Sequence, residues 1–215
     1  MTTTDGGSDG DPPEAATDDA DTSEGTESEA VDRRYAVVLD YLQHGRADDD
    51  RPRHRKSPLA YALGERDFRL FELTLSDDAD ISIGDRVVIG PTEARDAVAG
   101  FKEVQYGDIS NTANAELEYA IEAIVDEHEE RFVDFYNDAQ PITLRLHQLN
   151  LLPGIGKKLR NNILDQRKRG PFESFEEVEE RVSGLHNPKE VLIERIIEEL
   201  RDDDLKYKAF VGREE

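Results

Sequence analysis

An α+β fold is predicted for this chain, with a small β-barrel first and a set of paired helices after it. Three observations predict it. Between residues 33 and 110 the apolar residues fall in short β-rich runs parted by glycines and polar turns. From Asn111 onward they recur at three- and four-residue steps instead. Within that helical half one short stretch, Leu152-Pro153-Gly154-Ile155-Gly156-Lys157-Lys158, breaks the helical pattern with two glycines.

Residues 1–32 stand apart from both halves. They hold eleven acidic residues, no Lys or Arg, and almost nothing to bury, so a disordered, solvated acidic tail is expected.

The barrel is expected over 33–110. Tyr35 to Leu42 is an apolar run, with Gly45 ending it. A polar loop, Arg46 to Ser57, then carries Arg51, Arg53, His54, Arg55 and Lys56. Pro58 to Leu63 and Phe68 to Leu75 read as strands, with Phe68 and Leu70 facing away from Phe71, Leu73 and Leu75. Ile83 to Gly90 reads as a Gly-Asp turn feeding a strand, and Val98 to Tyr106 adds another. Closing these strands on one another would remove exposed edges. The phrase from Gly84 to Gly90 resembles strand starts in OB-type barrels, which implies a face able to bind single-stranded nucleic acid. Arg53, Arg55, Lys56 and Arg86 are the weaker candidates there, and Phe68 and Phe71 fit a core better than a stacking platform.

A helical bridge follows over 111–139. Leu117, Ile121, Ile124, Val125, Phe132, Val133 and Tyr136 mark one long or two short amphipathic helices. Over 140–202 the layout is helix (Pro141 to Leu151), tight Pro-Gly-x-Gly hairpin, and basic helix (Leu159 to Arg169). Glycine can take positive φ and lets a ligand approach without a Cβ in the way. Successive N–H groups at the start of the next helix form an anion site that the helix dipole strengthens. Gly154 and Gly156 would shape that site, while Leu152 and Ile155 would anchor it from below. Lys157, Lys158 and Arg160 would neutralise phosphate, and Lys168 with Arg169 would extend the track.

The run continues to Arg167-x-x-Gly170-Pro171-Phe172-x-Ser174-Phe175-x-x-Val178, and over this length it resembles helix–hairpin–helix domains of bacterial competence-type DNA receptors and DNA repair proteins. One such motif is too small to bury a core alone, so a second copy is expected. Ser174 and Glu177 form a capping-box pattern opening a third helix to Val182. Ser183 to Asn187 makes the second turn, with Asn187, Pro188 and Glu190 at the start of a fourth helix. Gly184 and Lys189 would give this turn a weaker anion site. Residues 203–215 close the chain, with Leu205 to Val211 alternating as a last strand on the barrel edge. From Tyr35 to Val211 the arrangement is similar to an uncharacterised archaeal family of predicted nucleic-acid-binding proteins; the acidic tail and the Asp-rich loop Ala47 to Asp50 depart from it.

The net charge of −23 argues at first against such a partner. Its distribution does not, because seven basic residues face only Asp165 and Glu173 between 140 and 175. General acidity with 8 Lys against 19 Arg fits a proteome adapted to molar salt, a halophilic setting. At ~1 M salt the Debye length is about 3 Å, so binding there would rest on short hydrogen bonds.

No apolar run of membrane-spanning length and no signal peptide is visible, and the chain has no cysteine, which together point to a cytoplasmic protein. The five histidines are scattered, and neither a P-loop nor a Gly-x-Ser-x-Gly is present. The segment after the hairpin, Gly170-Pro-Phe-Glu-Ser, lacks the Val-Asp of the helix–hairpin–helix glycosylases. A non-enzymatic binder of DNA or RNA, sequence-nonspecific and without cofactor or metal, is therefore expected. The competing expectation is a protein-interaction module docking on a replication, repair or translation complex.

Overall fold

The computed structural model describes residues 32–46, 52 and 56–213. The acidic tail up to Val31 and the loop residues 47–51 and 53–55, including Arg53 and Arg55, lie outside the described residues.

Strands β1 (Arg34–Leu42), β2 (Leu59–Gly64), β3 (Leu70–Leu75), β4 (Arg86–Gly90) and β5 (Val98–Val104) form one sheet in the order β4-β1-β2-β3-β5. Every neighbouring pair is antiparallel, and the sheet curls into a half-barrel whose edge strands β4 and β5 approach each other. Side chains alternate across the strands as the sequence pattern requires. Ala36, Val38, Ala60, Ala62, Phe71, Leu73 and Val87 fill the inside of the curl. Leu39, Tyr61, Leu63, Phe68 and Leu70 point the other way and join the helical core. A register shift between Val38 and Asp40 reverses the alternation near the end of β1, so Tyr41 returns to the inner cluster.

The helices α1 (Asn111–Glu127), α2 (Glu129–Asp138), α3 (Lys157–Arg167), α4 (Phe175–Arg181) and α5 (Pro188–Arg201) complete the fold. Ala113, Leu117, Ile121, Ile124 and Val125 line one face of α1, which packs on β1 and β2, and α5 packs on α1. Ser110 caps α1 by accepting from the Ala113 N–H at 3.0 Å and donates to Asp40 on β1 at 2.5 Å, so the cap also joins helix to sheet. Tyr136, fully buried on α2, donates its hydroxyl to the Pro188 carbonyl at the start of α5. Asn137 exchanges two hydrogen bonds with Phe172 in the α3–α4 connection. One continuous core therefore runs from the sheet through all the helices.

Three expectations need correction. Pro141 to Leu151 is not a helix but a small hairpin, bridged between Pro141 and His147 and followed by a short 3-10 turn over Gln148–Leu151. Its polar side chains give the backbone other partners. Thr143 accepts from the Arg145 and Leu146 N–H groups, and His147 accepts from Leu149. Leu205 to Val211 forms no strand either. The Ala209, Phe210 and Val211 N–H groups all donate to the fully buried Glu199 carboxylate, which takes the place of a strand edge. The segment then reaches the β2–β3 turn, where the Gly212 N–H donates to the Asp67 carbonyl. Finally, Asn187 does not cap α5 with its side chain. It sits at φ 49° in the left-handed region, which Asn enters more readily than most residues with a Cβ.

Glu199 also pairs with Arg195, itself 5% exposed, at 2.8 Å. Glu199→Ala leaves three backbone donors without their acceptor and removes one of the partners of Arg195, which keeps Glu198 and the Tyr207 carbonyl, so a loss of about 2–4 kcal/mol is expected. Urea unfolding followed by circular dichroism measures it, and a change below about 1 kcal/mol would contradict this role.

Candidate nucleic-acid interface

The first hairpin is a rigid turn on the surface between the 3-10 turn and α3. Leu152 and Ile155 are buried beneath it at 2% and 4% exposure. The Ile155 N–H donates to the Leu152 carbonyl, and Gly156 N–H to Gly154. Gly154 has φ +75°, which a residue with a Cβ adopts only under strain. Gly156 differs from expectation. At φ −79° and ψ −179° it is extended and serves as the N-cap of α3, so positive φ is needed at one glycine of this turn and not at two. A Cβ at either position would meet no protein atom within 4 Å, so both glycines face open surface.

No side chain caps α3. Among the described residues the N–H groups of Lys157, Lys158 and Leu159 find no acceptor, the first backbone bond of the helix being Arg160 N–H to Gly156. These are the orphan donors that a helix N-terminus leaves, and here they point out beside the exposed side chains of Lys157 and Lys158. Neither lysine makes an ion pair with another of the described residues.

Arg160 is held in place. It donates to the Asn150 Oδ1 at 3.1 Å and to Asn161 Oδ1 at 2.9 Å, while Asn150 Nδ2 donates to the Ile155 carbonyl at 2.9 Å. Asn150 thus both closes the hairpin and orients its arginine. The sequence reading missed this residue; its signal is one amide standing inside the apolar run Leu149–Leu152.

Other cations of the basic island are engaged elsewhere. Arg167 donates to the carbonyls of Tyr136, Asn137 and Ala139 and so closes the C-terminal end of α2. Lys168 is exposed and pairs with Asp165, and Arg169 is exposed with one long contact to Gln166. At the second turn Gly184 has φ +92° and open surroundings. Lys189 is held by another helix: its ammonium sits between Glu122 and Asp126 of α1 at 2.9 and 3.0 Å, which raises its pKa. The second turn therefore keeps its glycine, while the cation expected beside it is held by α1.

The barrel candidates are not brought together. Arg86 makes a two-pronged bond to Glu65 and lies 3.7 Å over the Tyr35 ring. Lys56 donates to the Arg46 carbonyl. Phe68 and Phe71 are buried. The cleft of about 600 Å³ near Arg86 sets Arg33, Arg66 and Arg131 against Glu127, Glu129 and Glu130, a balanced surface. Among the described residues no group of His, Asp and Glu is placed to hold a metal ion, and no helix is long and apolar enough to cross a membrane.

The family model described as "Protein of unknown function (DUF655)" matches residues 32–212. The chain belongs to this family. An uncharacterized protein of Methanocaldococcus jannaschii, MJ0038, is 41% identical over 179 residues, covering 82% of this chain and 79% of that one. The crystal structure of Af1531 from Archaeoglobus fulgidus, a member of the same family, shares the fold with a TM-score of 0.76 and 44% identity, covering 83% of this chain and 99% of that one. The family is thus represented in archaea.

Two outcomes follow from the hairpin's bonding. Asn150→Ala removes the Ile155 and Arg160 contacts together and should cost about 1–3 kcal/mol of stability, read by thermal unfolding; an unchanged midpoint would show that the hairpin closes without it. His147 is buried, with the cations of Arg167 and Arg160 near, and these lower its pKa in that order. The folded state therefore resists its protonation. Its contribution is complete above the ordinary value of about 6.5 and fades as pH falls through and below that value. The thermal midpoint of the wild type should drop more between pH 7.5 and 5.5 than that of His147→Asn, whose amide oxygen can still accept from Leu149; parallel curves would contradict this.

Proposed function

We propose that this protein binds nucleic acid without sequence preference, holding backbone phosphates at the turn before α3. One observation carries the reading. Among the described residues, three consecutive N–H groups without an acceptor open α3, flanked by two exposed lysines without an ion pair and an arginine oriented by Asn150. A phosphodiester accepts several such donors at once and is drawn to the positive end of the helix. Nothing at the turn is arranged to read base edges, so contact to the strand backbone sets position and not sequence.

In this reading the half-barrel is OB-like and the paired turns are a tandem helix–hairpin–helix domain whose first turn does the binding. The second turn, with Lys189 held by α1, serves to complete the core. Lys157, Lys158 and Arg160 supply the charge, and Lys168 and Arg169 at the far end of α3 can join with little rearrangement, because exposed pairs of this kind are weak. Arg167 is excluded, since its guanidinium is committed to three carbonyls.

The test is binding of the full chain to single- and double-stranded DNA and RNA, titrated over KCl. The double variant Lys157→Glu/Lys158→Glu should lose at least ~10-fold in affinity at ~0.1 M salt, and its log–log salt slope should fall by about 1–2. Gly154→Glu should weaken binding as well. Affinity equal to the wild type in the double variant would overturn the reading. So would absence of binding by the wild type at every salt, and the hairpin would then be sought as a protein-docking surface.

A further inference from the structure

The hairpin that replaces the expected helix before the α3 turn carries the most exposed large apolar side chain among the described residues. Leu144, at its tip, is 107% exposed, while the other two such residues, Ile83 and Tyr119, belong to the β3–β4 connection and to α1. The tip is stiffly built. Ile142 and Thr143 N–H groups donate to the Leu146 carbonyl at 2.8 and 3.0 Å, and Thr143 Oγ1 accepts from the Arg145 and Leu146 N–H groups. The base is clamped by the Pro141–His147 bridge, by Gln148 N–H to the Gln140 carbonyl, and by Gln140 N–H to the Gln148 side chain at 2.6 Å. A loose loop could fold its leucine away from water. This one holds it out.

The tip is also tied to the proposed phosphate site. The Asn150 N–H donates to the His147 carbonyl at 2.8 Å, and Asn150 in turn holds Arg160. Leu144 and His147 are three positions apart, so their Cα atoms are within about 11 Å. Arg145, exposed, stands next to the leucine.

We infer that Leu144 is a wedge, inserting between stacked bases of the strand whose phosphates the neighbouring α3 turn holds. The inference rests on the proposed nucleic-acid binding. A single leucine between Thr143 and exposed Arg145 is too little for a stable protein interface, which needs about 800 Å² from each partner. A wedge between base steps is by nature one apolar side chain on a rigid support, with cations beside it to meet the backbone. Arg145 beside the leucine, and Lys157, Lys158 and Arg160 of the proposed phosphate site, match the charge of a phosphate backbone, whereas the chain as a whole is acidic.

The experiment uses the full chain and short DNA duplexes carrying 2-aminopurine, whose fluorescence rises when it is unstacked. Saturating wild-type protein should raise the fluorescence at least about twofold as a few base steps open. Leu144→Ala should bind within a few-fold of wild-type affinity, since phosphate contacts dominate affinity, but should lose the rise. Leu144→Phe should restore it. Binding with no rise, or an equal rise with Leu144→Ala, would overturn the wedge while leaving phosphate binding intact. Absence of wild-type binding to any duplex would overturn the wedge, and absence of binding to single strands and RNA as well would overturn the phosphate site with it.

Discussion

Strands β1, β2 and β3 bury side chains on both faces, and that constraint positions everything after residue 105. Ala36, Val38, Ala60 and Ala62 fill the inside of the curl, while Leu39, Tyr61, Leu63 and Leu70 crowd the outside. An outer face of this kind cannot be left to water, because each buried large apolar side chain contributes roughly 1.5–3 kcal/mol. The α1 helix covers it, α5 packs on α1, and the aromatic set Phe68, Phe132, Phe135 and Phe210 closes the seam from sheet to C-terminal segment. With both ends of the described residues 32–213 tied to the same core, the α3 turn is presented on a single packed body. That matters for a site made of backbone N–H groups, whose directions are only as fixed as the turn that bears them.

Arginine and lysine divide the work in the helical half. Arg167 and Arg181 spend their guanidinium groups on main-chain carbonyls at the ends of α2 and α3, and Arg195 lies buried against Glu199 and the Tyr207 carbonyl. The planar fork suits this, since one side chain satisfies two or three acceptors. Lys157 and Lys158, on long flexible stems, remain at the surface. A count of charges along the sequence treats all of these alike, and so overstates the cation that is free to meet a ligand.

What could be read from the sequence was what depends on neighbours within a few residues. The alternation at Leu70 to Leu75, the three- and four-residue spacing from Leu117 to Tyr136, and the Ser174 cap of α4 all appear where expected, while Phe68 joins the core of Leu70 from the turn before the strand, at φ 51°. Less legible were features decided by distant partners. Leu205 to Val211 has the pattern of a strand, but a carboxylate on α5 takes its N–H groups. Lys189 follows a glycine turn as a phosphate ligand would, but Glu122 and Asp126, more than sixty residues earlier, hold it. Glu177 fits a capping box, yet its carboxylate accepts from the N–H of Glu173 and not of Ser174. In the candidate site the anchors Leu152 and Ile155 were legible because a turn between helices must bury something, whereas the hold of Asn150 on Arg160 spans the turn and leaves only a lone amide in an apolar run.

The acidity of the chain bears on why a proposed phosphate site should take this form. Long-range attraction is weak for a protein with net charge −23, and salt weakens it further by shortening the Debye length. A diffuse basic patch would then lose most of its pull on a strand. Hydrogen bonds from fixed N–H groups act within about 3 Å, inside even the Debye length of molar salt, and the dipole of α3 falls off within its first turn. A site of this kind therefore keeps its preference for phosphate where a patch does not. It also needs little net charge around it, and an acidic surface elsewhere costs it little. In the proposed site the same reasoning gives the lysines a secondary part: they would sharpen the capture of a strand at low salt, while the geometry around Gly154 and Gly156 would decide whether it is held.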